Sequence, residues 1–350
     1  YTFSNEKGAE GEITSFAAMC TAMSATVGTG NIVGIATAVV TGGPGALFWT
    51  WVSAFFGMAT IYAEAVLAQH YRTTVNGHVT GGPAFYIRAA FKGKVGKVLA
   101  TVFSVLIILA LGFMGNMVQS NSIGDAFHNA FGVNRLVVGV IVAAIAAFIF
   151  LGGVQRIAAV TEKVVPVMAA FYILGCIAIL VINAKALPGA LAQVFVLAFE
   201  PQAMAGGIAG VTVQQAMRFG VARGLFSNEA GSGSAPCAAA AAECDDPVKM
   251  GLVQALGVLI DTVVICSCTA FLMLLVPQEI TAGLTGMNLL QTAMQYHLGG
   301  FGIVFIAVIL ALFSFSTFLG VLYYARGNVA YLCGDNWWSQ TAYKLLALAM

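Results

Sequence analysis

Residues 24–34 read SATVGTGNIVG and place hydroxyls at Ser24, Thr26 and Thr29, a carboxamide at Asn31 and glycines at Gly28, Gly30 and Gly34. The chemistry on offer is neutral: oxygen donors for a cation, and main-chain N–H groups that glycine leaves open to close approach. These residues lie within a run, residues 13–63, that contains no Asp, Glu, Lys or Arg. In hydrocarbon, a freed N–H or C=O is tolerated only where protein or a polar cavity satisfies it. Close helix packing accounts for the spacing of Gly30 and Gly34, but not for the hydroxyls and Asn31 around them. A dinucleotide-type glycine loop needs a preceding strand and a βαβ unit, and this run offers neither.

The same anomaly recurs at residues 223–236, RGLFSNEAGSGSAP, where Gly, Ser and Asn again interrupt an apolar region and Pro236 follows. Asp261 adds a carboxylate in the middle of another apolar stretch. Such a group marks a functional position by default because burying it unpaired is costly. It suits a cation or proton site, or an ion pair with Arg218 or Arg223.

The elements that must carry these residues follow from composition. Of 350 residues, 60% are hydrophobic and 8% charged, and the mean hydropathy is +0.92. Soluble domains carry about 25% charged residues, so the reading is an all-α polytopic membrane protein. The net charge of +1 gives no sign of nucleic-acid binding. Seven scattered cysteines fit no zinc spacing and read as small buried apolar residues.

A bilayer core of about 30 Å takes roughly 20 apolar residues. Two spans fit in residues 13–63, divided by the turn at 42–45, and a third lies in 97–125. A fourth fits 135–156 and a fifth 163–185. An irregular sixth covers 203–243, a seventh 248–276 and an eighth 301–326, with a ninth starting at Tyr343. Arg72, Arg88, Lys92, Lys94, Lys97, Arg156, Lys163, Lys249 and Arg326 gather on one side, against Arg135 and Lys185 on the other. The positive-inside rule then puts the start of span one at the cytoplasm. Residues 77–91 suit an interfacial amphipathic helix or an ordinary loop.

Spans one and six, the two glycine-interrupted ones, are five spans apart and so begin on opposite faces. That pattern points to an inverted-repeat secondary transporter with its site at the bilayer midplane. The motifs VGTGNIVGIATAVVTGGPGALFWTW, YAEAVLAQHYR, GGPAFYI, GNMVQSNSI and RGLFSNEAGSGSAP together resemble the alanine/glycine:cation symporters over essentially the whole chain. The resemblance implies the leucine-transporter fold, a five-plus-five inverted repeat with discontinuous helices one and six. It implies Na⁺-coupled, in some members H⁺-coupled, uptake of alanine or glycine across a prokaryotic plasma membrane. One transporter domain is expected over 1–350, with a first repeat at 13–183 and a second, incomplete, at 203–350. The chain reads as a fragment that starts at Tyr1 and stops before the last two core spans.

A zwitterionic substrate needs donors for its carboxylate, and span one offers no cationic side chain. The amides of Thr29 and Gly30, where the helix restarts, meet that need, and the family likeness points to the same positions. By resemblance Gln119 reaches the substrate with its side-chain amide; otherwise it is a polar residue at the outer end of span three. Phe226 lids the pocket or merely packs, and Asn228 offers further hydrogen bonds. Carried over by position, one Na⁺ takes the Thr26 carbonyl and the Asn31 side chain. A second takes the carbonyls of Ser24, Val27 and Phe313 with the hydroxyls of Ser316 and Thr317. Without an ion, those hydroxyls would bond back to their own helix. Glu229 is expected to cap the restarted helix of span six, and Glu64 to be structural or gating.

Two other classes compete. A channel needs a continuous polar path, whereas the polar residues here cluster at one depth. An enzyme needs a reactive constellation. His70, His78, His128 and His297 fall toward span ends or loops, and no H-E-x-x-H or G-x-S-x-G pattern occurs.

Overall fold

The computed structural model describes residues 11–75, 77–150, 152–199, 213–334 and 336–349. The charge-free run folds as two half-helices and a long helix. The first half, α1 (Ser15–Thr26), is N-capped by Thr14, whose hydroxyl accepts from the Ala17 amide at 3.0 Å. It stops at Val27, and α2 (Gly30–Gly42) continues at an angle of 52° to it. The expected turn at 42–45 ends α2: Gly43 takes φ +73°, a region that a β-carbon disfavours. Pro44 then leads into α3 (Gly45–His70), where its missing N–H costs nothing.

Residues 77–91 are part strand and part helix. The hairpin of β1 (Thr73–Val75) and β2 (His78–Thr80) pairs Thr73 with Thr80, and α4 (Pro83–Ala90) follows. Next come α5 (Gly93–Phe131), with a wide π-type stretch at Ile108–Gly115, then α6 (Arg135–Phe150) and α7 (Gly153–Ile182). The short apolar α8 (Leu187–Phe199) escapes a count of charge-free intervals because its 13 residues are too few to span.

The start of the expected sixth span, and of the second repeat at 203, lies outside the described residues. From Val213 that span consists of α9 (Val213–Asn228), an unwound stretch, and the single-turn α10 (Pro236–Ala239). The chain closes with α11 (Pro247–Leu274), α12 (Gln278–Thr281), α13 (Gly286–Leu298), α14 (Gly300–Cys333) and α15 (Trp337–Ala349). The helix at the expected start of a ninth span thus begins at Trp337 rather than Tyr343.

Among the described residues five helices are long and apolar enough to cross a membrane, or six with the bent α1–α2 pair. The expected fourth span is only 16 residues long, and the sixth is split. Both α9 and α11 pack along α3, while α14 packs on α1, α5 and α7. Glycine makes the α9–α3 contact close: a methyl at Gly224 would come within 2.7 Å of Ser53 Oγ. On the outside, Leu106, Leu136, Phe148, Leu174 and Ile182 are exposed, an apolar surface that lipid accepts.

Candidate functional site

The first break opens where α1 runs out of helix-forming residues. The Val27 amide still bonds the Met23 carbonyl at 2.8 Å, and the Gly28 amide turns to the side chain of Asn31 at 3.1 Å. Thr29 and Gly30 then head α2, and first-turn amides have no partner inside their own helix. The carbonyls of α1 point the other way, toward α14. Thr317 Oγ1 lies 3.3 Å from the Val27 carbonyl, and Ser316 Oγ lies 3.4 Å from that of Ser24. Both hydroxyls also bond back to the Phe313 carbonyl, at 2.8 and 3.0 Å. Ser24, Val27, Phe313, Ser316 and Thr317 are all buried. Three carbonyls and two hydroxyls therefore converge from two helices, a donor set of the kind hard cations take. Gly28 completes the fit, since a β-carbon there would collide with Thr317 Oγ1.

Within the interrupted stretch 223–236, the second break begins only at Glu229. Leu225 to Asn228 stay helical in α9 because none of them breaks a helix, and the chain leaves the helix only at Glu229. Phe226 is consequently in the last turn of α9, with its ring 2.9 Å from the position of a Gly30 β-carbon. Arg223 stands over that ring at 5.8 Å. Asn228 accepts from the Ala230 amide at 3.0 Å and so holds the start of the unwound stretch. Glu229 does not cap α10 through a backbone amide. Its carboxylate takes the Ser234 hydroxyl instead. The amides of the break go to Glu64 on α3, whose two oxygens accept from Gly231 and Gly233 at 3.1 Å each.

Asp261 makes no ion pair with Arg218 or Arg223. It is buried and takes neutral donors: the Asn31 amide on one oxygen, with Ser227 at 2.8 Å and Thr262 at 2.9 Å on the other. Asn31 also donates to Ser227 at 3.0 Å. The cluster joins α2, α9 and α11, all at interrupted or widened helix, since Leu259–Ile265 is itself a π-type stretch. Asp261 and Thr26 line a cavity of about 10 Å³ with Asn228 and Gln254, room for about one water-sized occupant. Asn228 is therefore directed to this small cavity rather than to the larger one.

The larger cavity, about 340 Å³, is lined by Thr26, Gly28, Gly30, Gln119, Phe226 and Thr317, with Glu229 and Ser232. Gln119 is buried, and its side-chain oxygen has no hydrogen-bond partner among the described residues. A buried polar atom left over in a cavity wall is where a polar ligand is missing its bond. Four of the five expected substrate residues thus lie near one another: Gly30, Gln119 and Phe226 on the wall, with Thr29 adjoining Gly30. Asn228 faces elsewhere.

Sequence reasoning missed the partners of Glu64, the position of Glu229 on the cavity wall, and the neutral partners of Asp261. The first had a signal: a carboxylate inside a span with no cation at helical spacing must find donors elsewhere. The glycines at 231 and 233, each with an N–H and no side chain, were the available ones.

The sodium:alanine symporter family matches residues 1–350. Among relatives, the chain is 42% identical over 340 residues to the amino-acid carrier protein AlsT of Bacillus subtilis, covering 97% of this chain and 70% of that protein. It is 43% identical over 335 residues to the sodium/alanine symporter AgcS of Methanococcus maripaludis, covering 95% and 73%. Against the probable sodium/glutamine symporter GlnT of Bacillus subtilis, identity is 46% over 321 residues, covering 91% and 66%. A crystal structure of an Eremococcus coleocola manganese transporter superposes with a TM-score of 0.68 at 13% identity, covering 98% of this chain and 74% of that one. That likeness is one of fold.

Proposed function

Because the chain belongs to the sodium:alanine symporter family, we propose that its 340 Å³ cavity takes a small neutral amino acid that moves with Na⁺. The protein is a multi-pass membrane transporter, not an enzyme. One observation carries the site assignment: five oxygens from Ser24, Val27, Phe313, Ser316 and Thr317 meet beside a cavity that Thr317 and Gly30, at the head of α2, both line. A cation placed among those oxygens sits next to the amides that receive a carboxylate, so each charged ligand offsets the other's burial. This electrostatic coupling makes binding of either favour the other.

Within this reading Gln119 meets the substrate with its amide, and Phe226 closes over Gly30. A further cation is taken at Thr26 and Asn31, where Asp261 supplies a buried negative charge with only neutral donors around it. The two breaks support division into inverted repeats, 13–183 and 203–350, that rock about the site in alternating access. The positive-inside count supports an orientation with α1 starting at the cytoplasm, and relatives from Bacillus subtilis and Methanococcus maripaludis support a prokaryotic plasma membrane. Names such as sodium/alanine symporter and probable sodium/glutamine symporter among the relatives support a neutral amino-acid substrate; alanine and glycine are the sizes the resemblance favours. A channel reading gains nothing from the geometry, since the polar groups are gathered at the two breaks.

The test is uptake of labelled alanine into proteoliposomes. An inward Na⁺ gradient should drive accumulation, and collapsing it should stop accumulation. Uptake equal with and without either a Na⁺ or a proton gradient would refute coupled transport.

A further inference from the structure

Glu229 has a backbone that does not suit its side chain. It follows the last residue of α9 with φ +52°, the one non-glycine residue at positive φ among the described residues. Helices that end in a left-handed residue do so most readily with glycine, and strained residues of this kind cluster at binding sites. The strain is held in place locally. The Glu229 carbonyl accepts from the Ser232 amide at 3.0 Å and from its hydroxyl at 2.6 Å, and the Glu229 amide bonds the Leu225 carbonyl at 3.0 Å.

The residue so placed lines the large cavity with Thr26, Gly30, Gln119 and Phe226, and it is the one charged residue on that wall among those described. Its Oε2 accepts from Ser234. Its Oε1 has no hydrogen-bond partner, and no Lys, Arg or His pairs with the carboxylate, among the described residues. One cavity thus brings Gly30, at the N-terminus of α2 whose amides suit an anion, together with a carboxylate, which suits a cation. A small molecule that carries both charges satisfies both ends.

Resting on the reading that this cavity takes a small amino acid, we propose that Glu229 receives the substrate's α-ammonium group and so restricts the carrier to zwitterions. The carboxylate is then a specificity-determining contact, distinct from the oxygens that hold Na⁺ against α14.

The experiment is equilibrium binding of L-alanine to the purified protein in saturating Na⁺, for wild type, E229Q and E229G. Na⁺ binding without alanine is followed separately by tryptophan fluorescence, and folding by melting temperature. E229Q and E229G should each weaken L-alanine at least tenfold, leave the Na⁺ half-saturation within twofold, and raise the affinity for propionate relative to alanine. E229G relieves the backbone strain, so its melting temperature should equal or exceed that of wild type. L-Alanine affinity within twofold of wild type in E229G would overturn the proposal while leaving the amino-acid reading intact. Loss of Na⁺ binding in the absence of alanine would assign Glu229 to the ion and overturn it as well. Wild-type protein that binds no L-alanine in Na⁺ would instead bring down the amino-acid reading itself.

Discussion

Thr317→Val tests the proposed hold of a cation on α14. The replacement keeps the shape of the side chain and removes Oγ1, which lies 3.3 Å from the Val27 carbonyl and 3.0 Å from that of Phe313. A single neutral contact to a charged group is worth about 1.5–3 kcal/mol. At about 1.4 kcal/mol per decade of affinity, the Na⁺ concentration for half-maximal alanine uptake should rise between about tenfold and about a hundredfold. The hydroxyl also donates to a carbonyl when no ion is bound, so the variant should lose about 1 kcal/mol of stability in Na⁺-free buffer. Melting curves at zero and saturating Na⁺ separate the two effects, because a ligand stabilises by its own affinity. Thr317→Ser, which restores the oxygen, should recover most of the Na⁺ affinity. A Thr317→Val titration that superimposes on wild type would mean that these five oxygens are ordinary helix back-bonding, and the ion would have to be sought elsewhere.

Other substitutions probe the remaining contacts. Gly30→Val adds carbons where the Phe226 ring already lies 2.9 Å from a β-carbon; alanine binding should vanish while membrane insertion and Na⁺ binding persist, and residual transport would remove Gly30 from the site. Gln119→Leu should raise the alanine KM about tenfold, the value of about one hydrogen bond to a charged group, with little change in the Na⁺ curve. Asp261→Asn should keep the fold but abolish gradient-driven accumulation, read as loss of Na⁺-driven uptake with retained alanine exchange. Glu64→Ala strands the Gly231 and Gly233 amides and should lower stability by about 2–4 kcal/mol, measured as a fall in melting temperature, whereas Glu64→Gln should recover part of it.

How much of this was legible depended on whether a feature is local. The first break was, because Gly28, Gly30 and their hydroxyl neighbours weaken a helix in the one environment where that is costly. The paired hydroxyls of Ser316 and Thr317 were legible as a pair, and only the fold could bring them to the Ser24 and Val27 carbonyls. The second break is legible in the sequence only as the stretch 223–236, without its starting residue. Glycines at 231 and 233 mark it, but Leu225, Phe226, Ser227 and Asn228 all tolerate helix, and the chain keeps it until Glu229 turns left-handed. An ion pair of Asp261 with Arg218 or Arg223 stands beside a cation or proton site among the sequence's readings, because opposite charge is what sequence displays. The carboxylate's actual donors are neutral and come from three helices, a result of tertiary packing that spacing cannot encode. Span ends drifted for the same reason: α15 starts at Trp337 and α14 runs on to Cys333, past the charges that bounded the apolar intervals.

The brace through Asn31, Ser227 and Asp261 has a mechanical corollary. With Glu64 tying α3 to the unwound stretch beyond α9, it links α2, α3, α9 and α11 into one hydrogen-bonded block. The hydroxyls of Ser316 and Thr317 belong to α14 and meet the carbonyls at the end of α1, which leads through the first break into that block, across a seam of 3.3–3.4 Å contacts. Sodium seated in that seam would act as a clasp between two bodies, and its departure would let them slide. Cargo and latch would then be the same ion.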